Sequence, residues 1–198
     1  MALLGILNGR VSGLETQQSQ TSLKLPLSKS TIRSFCPGDA VSITKHAGAY
    51  SVARNLLAVP HPYSLQNAEE WIAKATNCRP QTDFAIAIDD EVVGGIGIQV
   101  ADSGRLAVSN HCAEIGYWLG ETYWGRGIMS EGVLAMTEWA FAELRLVRLQ
   151  AAVFARNPAS ARVLEKAGYE FEGRMRARYF RDNEFIDGLL YAKVRLPR

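Results

Sequence analysis

The most constraining feature of the chain is the succession that begins at Ala113-Glu114-Ile115-Gly116-Tyr117-Trp118-Leu119, passes through Gly125 and Gly127, and continues into a stretch of helical period. The first seven residues are apolar apart from Glu114 and read as a strand. From about Ile128 to Leu144 the period becomes helical, with Met129, Val133, Met136 and Ala140 on one face and Glu131 and Glu138 on the other. The two glycines permit positive φ and let successive N–H groups turn inward ahead of the positive end of the helix dipole. That arrangement suits a phosphate or pyrophosphate, although a lone Gly-x-Gly is more often a tight turn with no ligand.

The rest of the pattern surrounds this unit. Leu23 to Arg33 reads as an extended segment broken at Ser28-Lys29-Ser30, and Pro37-Gly38-Asp39 as a turn feeding a helix to about residue 47. Val59-Pro60-His61-Pro62-Tyr63 cannot be helical, so it is a stiff loop. A helix follows from about Leu65 to Ala75, with Asn67 as its expected cap. Residues 83 to 98 read as a hairpin turning at Asp89-Asp90, and Asp102 to Asn110 as a polar loop. Leu149, Ala151 and Val153 alternate in a strand that ends at Asn157-Pro158; the helix from Pro158 to Ala167 then stops at Gly168. Tyr169 to Tyr179 and Glu184 to Arg195 read as two final strands.

A chain of 198 residues with 47% hydrophobic and 21% charged residues has the composition of one globular domain. Residues 12 to 22 are Gln/Ser-rich and predict a flexible leader over 1–22, with a single domain over 23–198. The charge of +2 is scattered, which disfavours nucleic acid as a partner and leaves a small anion compatible. Cys36, Cys78 and Cys112 lack metal-ligand spacing, so we expect no metal; they read as reduced, buried thiols of a cytoplasmic protein. The apolar start, Met1 to Leu7, is too short for a signal-peptide core, and no stretch reaches the length of a membrane span. His46, His61 and His111 have no partners at catalytic spacing and read as solvated or loop-packed, while Trp71 and Trp139 read as core.

Competing phosphate motifs fail on inspection. No Gly-Lys-Ser/Thr follows the loop, and Gly-x-Gly-x-x-Gly is missing too, because no glycine stands three residues after Gly127. The loop gains specificity from the block Arg156-Asn157-Pro158-Ala159-Ser160-Ala161-Arg162-Val163-Leu164-Glu165-Lys166-Ala167-Gly168-Tyr169-Glu170-Phe171-Glu172-Gly173. Together with Glu114 to Leu119 and Trp124 to Met129, it resembles the GNAT superfamily of acyl-CoA-dependent N-acyltransferases in its RimJ/RimL-like branch. The resemblance covers most of the chain from Leu23 onward.

It implies an α/β (α+β) domain: a mixed, mostly antiparallel sheet of six or seven strands flanked by about four helices. It implies acetyl-CoA as acyl donor, its pyrophosphate held by the loop Trp124, Gly125, Arg126, Gly127, Ile128 and Met129. Trp124 stands where Gln or Arg is usual, and Met129 replaces a small residue and would crowd the phosphates slightly. The family splays the strands on either side of this helix, which implies main-chain contacts of the pantetheine arm around Tyr117, Trp118 and Leu119. Asn157 would hydrogen-bond the arm; its other reading is a plain helix cap.

The implied reaction is direct attack of a primary amine on the thioester. A carboxylate on an apolar strand is partly desolvated and its pKa raised, which makes Glu114 the candidate base, directly or through water; a structural ion pair is the alternative. Ser160 is the candidate donor to the leaving sulfur, with a backbone-satisfying role as its alternative, and Tyr179 is a second hydroxyl. The acceptor is a protein N-terminal amine or a small-molecule amine, with the Val59 to Tyr63 loop a candidate wall of its channel. The alternative is a non-catalytic acyl-CoA-binding sensor or scaffold. A homodimer is compatible with the sequence, which does not decide it.

Overall fold

The computed structural model describes residues 23–78, 80–100 and 111–196. The predicted leader and the Asp102 to Asn110 loop lie outside the described residues.

Eight strands form one sheet among these residues. They are β1 (Lys24–Pro26), β2 (Thr31–Arg33), β3 (Asp83–Ile88), β4 (Glu91–Val100), β5 (Cys112–Leu119), β6 (Arg148–Phe154), β7 (Glu170–Arg181) and β8 (Glu184–Val194). Their order is β1-β2-β3-β4-β5-β6-β8-β7. Every neighbouring pair is antiparallel except β5 and β6, which run parallel. The helices are α1 (Ala40–Ala47), α2 (Tyr50–Ala53), α3 (Leu65–Asn77), α4 (Ile128–Glu143) and α5 (Pro158–Lys166). The broken segment at the start supplies β1 and β2, and α2 is a single turn that periodicity did not reveal. None of these helices is long and apolar enough to cross a membrane.

Strand alternation sorts the side chains between two faces. Ala113, Ile115, Tyr117 and Leu119 of β5, with Leu149, Ala151 and Val153 of β6, pack into the main core with Ile128, Val133, Met136 and Ala140 of α4 and Leu164 of α5. Trp118 points to the other face, where Ala85 and Val92 meet Ile43, Val52, Ala68 and Ile72 of α1 to α3. Trp139 packs at the margin of the first cluster and Trp71 at that of the second. A Cβ on Gly95 would run into the Trp118 indole, so the absence of a side chain there is what lets the ring lie against β4.

Two readings are corrected. The α3 cap is Ser64, not Asn67: Ser64 Oγ accepts the Asn67 N–H at 3.1 Å while Asn67 Oδ1 accepts the Ser64 N–H at 3.0 Å, a reciprocal capping box. Cys36 and Cys78 are exposed and Cys112 half-buried, so none is the buried thiol expected; each lies at the edge of an element, where the sheet does not enclose it.

Candidate active site

Parallel pairing of β5 with β6 runs only through Cys112↔Arg148, Ala113↔Leu149 and Glu114↔Gln150. Beyond Glu114 the strands part. β5 stays paired with β4 as far as Leu119, and β6 stays paired with β8 as far as Phe154, so a wedge opens in the middle of the sheet. A parallel junction must be linked by a crossover, here α4, and the connection from β5 into α4 brings the glycine loop to the mouth of this wedge.

The loop has the geometry its glycines predict. Gly125 and Gly127 hold φ of 74° and 81°, and Gly127 caps α4 in the left-handed region. A Cβ on either would meet nothing within 4 Å, so backbone conformation, not space, requires glycine. Arg126 stacks on Tyr123, with 5.3 Å from its guanidinium carbon to the ring centroid. The turn between β1 and β2 braces the loop: Ser28 donates its N–H and hydroxyl to the Glu131 carboxylate at 2.7 and 2.6 Å, and Lys29 Nζ donates to the Arg126 carbonyl at 3.4 Å. The two Ser28 hydrogen bonds hold the Glu131 carboxyl below the usual carboxylate range.

A cleft of about 340 Å³ fills the wedge. Its walls include Tyr117, Trp118, Leu119, Trp124, Gly125, Gly127, Ile128, Met129, Asn157 and Ser160, so every predicted cofactor-binding residue except Arg126 borders it. Met129 is 5% exposed and packs into the main core, which relieves the crowding expected of it. Trp124 donates its indole N–H to the Leu119 carbonyl at 2.8 Å, so it fastens the free end of β5 and takes up one of the main-chain acceptors expected for an arm. Asn157 caps α5, accepting the Ser160 N–H at 3.2 Å, and also stands in the cleft wall.

The two candidate catalytic residues lie on opposite faces of the sheet. Ser160 is buried on the α4/α5 side, its Oγ 2.9 Å from the Tyr117 hydroxyl, which donates to the Ser160 carbonyl at 3.0 Å. Burial pushes the Tyr117 phenol far up, the contact with Ser160 opposing it. Glu114 is half-buried at the apex of the wedge and shares its face with Trp118, the α1 to α3 side; it is not in the wall of the main cleft. Its charge raises the phenol pKa of Tyr179, adding to the larger effect of burial, so Glu114 and Tyr179 face one locality. The cleft opens toward that face through Val52 and Asn55.

Sequence reasoning missed several of these neighbours. Arg162 and Lys166 line the cleft, and their four-residue spacing on α5 was a legible signal of a shared basic face. Val52 and Asn55 had none, since only tertiary docking brings α2 there. Arg156 and Arg181 strap the segment after α2 to the β7–β8 hairpin. Arg156 donates to the Arg54 carbonyl at 3.1 Å and to Glu184, and Arg181 donates to the carbonyls of Leu56, Leu57 and Val59. The start of the predicted Val59 to Tyr63 wall is thereby fixed against β7. None of the histidines lines the cleft: His46, read as solvated or loop-packed, is instead buried on α1 with Nε2 2.9 Å from Glu91 Oε1, because the helix turns it inward toward Tyr123, while His61 and His111 are exposed. Among the described residues no group of three His, Cys, Asp or Glu is placed to hold a metal.

A mostly antiparallel sheet opened at one parallel junction, with an amide-rich turn at the mouth of the opening, is the architecture of an acyl-CoA N-acyltransferase. The acetyltransferase (GNAT) domain matches residues 29–170, and the chain belongs to that family. It is 42% identical over 87 residues to the probable N-acetyltransferase YjcK of Bacillus subtilis, covering 44% of this chain and 46% of that protein. It is 32% identical over 111 residues to the ribosomal-protein-serine acetyltransferase of Escherichia coli, covering 56% and 59%. With the L-amino acid N-acetyltransferase AaaT of Escherichia coli it shares 28% identity over 141 residues, 71% and 83% of the two chains. The chain spans about half the length of the curated relatives it matches first. Its fold superposes with a TM-score of 0.71 on RimL, the ribosomal L7/L12 alpha-N-protein acetyltransferase in complex with coenzyme A, at 20% identity over 87% of this chain and 98% of that one.

Proposed function

We propose that the protein transfers an acetyl group from acetyl-CoA to a primary α-amine by direct attack on the thioester. The observation that carries this reading is the wedge between β5 and β6, lined at its mouth by the Gly125–Gly127 turn and reaching both faces of the sheet. The residues present fit the donor. The amides of the turn and the α4 N-terminus suit a pyrophosphate, Arg126, Arg162 and Lys166 suit its charge, and the unpaired stretch of β5 suits an extended amide arm. Among the relatives, AaaT is named for amino acids, the serine acetyltransferase for ribosomal protein and RimL for an α-N-terminus. An α-amine has a pKa near ~8 against ~10.4 for a lysine, so a modest base is enough at neutral pH.

In this reading Glu114 accepts the amine's proton, directly or through a water, as the nitrogen attacks the carbonyl carbon. The C–N bond forms, the C–S bond breaks, and the departing thiolate takes a proton through Ser160, which recovers one from solvent as Glu114 releases to solvent the proton it took. Because Glu114 and Ser160 face opposite sides of the sheet, the amine approaches from the α1 to α3 face while the sulfur leaves toward α5.

The test is calorimetric titration with acetyl-CoA, followed by thiol release against a panel of peptides with free N-termini and free amino acids. Saturable binding with amine-dependent release, abolished in E114Q, is the expected result. Binding with no release across the panel would replace this reading with the acyl-CoA sensor, and no binding to the folded protein would remove both.

A further inference from the structure

Gly120 follows β5 and donates its N–H to the Val93 carbonyl at 2.8 Å; Glu121–Tyr123 then make a single 3₁₀ turn, the Tyr123 N–H returning to the Gly120 carbonyl at 3.0 Å. Two side chains of the helical layer grip this turn. Ser51 of α2 donates its hydroxyl to the Glu121 carboxylate at 2.6 Å, and His46 of α1 meets the Tyr123 ring with 5.5 Å between centroids and 72° between planes. His46 is 6% exposed, and its Nε2 lies 2.9 Å from Glu91 Oε1, which Lys45 Nζ also reaches at 2.9 Å. A carboxylate only accepts, so Nε2 carries the hydrogen and the imidazole is held in one orientation. Its other nitrogen lies against Gly120, where a Cβ would fall 2.7 Å from Nδ1. Gly120 has φ of −57° and ψ of 139°, which any residue adopts, so the imidazole and not the backbone requires glycine there.

Tyr123 in turn borders the cleft, and the Arg126 guanidinium lies over its ring. An arginine side chain has several freely turning bonds, and fixing them on an anion costs entropy. A ring already in place beneath the guanidinium lowers that cost. We propose that His46 is a positioning residue for the anion-binding end of the site: braced between Glu91 and Gly120, it fixes Tyr123 and, through that ring, sets Arg126 for the phosphate groups of acetyl-CoA. This rests on the acetyl-CoA reading above. His46 is not in the cleft wall and exchanges no proton in this scheme; its effect on the donor passes through Tyr123 and Arg126.

The experiment is a pair of double-mutant cycles read as the acetyl-CoA Kd by calorimetry, with folding followed by thermal melting. H46A, R126Q and G120A should each weaken binding about tenfold. If His46 acts through Arg126, H46A adds little to R126Q, and the double variant binds within about threefold of R126Q alone. If the Gly120 methyl acts by displacing the imidazole, H46A/G120A binds like H46A. Should H46A melt below the titration temperature, G120A with R126Q carries the first cycle, because alanine at position 120 leaves every core side chain in place. A folded H46A that binds acetyl-CoA as wild type does, or losses that multiply to about a hundredfold when combined with R126Q, overturns the proposal and leaves the acetyl-CoA reading intact. Absence of binding to the folded wild type overturns both.

Discussion

Tyr117 and Ser160 are tied to each other twice: the phenol oxygen lies 3.0 Å from the Ser160 carbonyl and 2.9 Å from its Oγ. A carbonyl only accepts, so the single phenol proton goes to it, and the Ser160 hydroxyl donates back to the phenol oxygen. This clamps β5 to the first turn of α5 where the Asn157 cap already holds the Ser160 N–H. In the proposed reaction Ser160 therefore reaches the sulfur only by releasing Tyr117, and the acid is a pair of hydroxyls rather than one.

S160A removes the proposed proton donor and leaves the helix cap, because Asn157 accepts from a backbone N–H that alanine retains. We expect kcat to fall on the order of 10²-fold with acetyl-CoA affinity within about twofold. Y117F is milder, since Ser160 keeps its proton and loses only the group that orients it. Steady-state thiol release and calorimetry check both, and an unchanged kcat in S160A would reduce Ser160 to a packing residue.

Gly127 caps α4 with φ of 81° and has open space around it. Alanine there carries the cost of a left-handed L-residue, about 1–2 kcal/mol, without a clash. The loop relieves that strain by turning its amides, so we expect G127A to lower Tm by about 3–6 °C and weaken acetyl-CoA binding about tenfold. Asn tolerates this region better than Ala, so G127N should fall between wild type and G127A in both measurements. The reverse order would mean that side-chain bulk, not backbone conformation, controls the site.

The fold was legible wherever one face of an element is apolar at a clear period. The alternation in β3 to β6, the stripe on α4 and the Asn157-Pro158 start of α5 are local patterns, and the structure has them within a residue or two. The mouth of the site was legible for the same reason, since positive φ at Gly125 and Gly127 is a property of the loop itself. Contacts made only by tertiary docking were not legible. Nothing near Arg181 in the sequence announces that it serves carbonyls more than 120 positions away, and nothing in Tyr179 announces on which face of the sheet it lies. The Asn67 cap failed because Ser64 and Asn67 are both good cap residues, and only the backbone chooses between them.

Arg181 holds one short stretch of loop through the Leu56, Leu57 and Val59 carbonyls. A lysine offers one ammonium in place of a planar fork and cannot span them. We expect R181K to cost about 1–3 kcal/mol, from carbonyls left without partners. Because this strap lies on the face from which the amine is proposed to approach, the functional effect should be a raised KM for the amine with acetyl-CoA affinity unchanged. Faster hydrogen exchange at residues 54–60 would accompany it, and exchange equal to wild type would show that packing alone holds the loop.

Asp83 begins β3 opposite Gly97, half-buried, with its pKa pushed up to about 6 by burial and Lys74 opposing weakly. In the unfolded chain its pKa is about 3.9. The folded state therefore holds the proton more tightly, and the stability Asp83 contributes is full below about pH 4, is lost as pH rises to about 6, and is constant above that. D83N fixes the neutral form in nearly the same volume. Its advantage over wild type should be near zero at pH 4 and reach on the order of 1–3 kcal/mol at pH 7.5. Urea melts of both proteins between pH 4 and 8 give this difference curve directly. A difference that stays flat across the range would mean that Asp83 keeps its charge solvated in the folded state, and the raised pKa would be wrong.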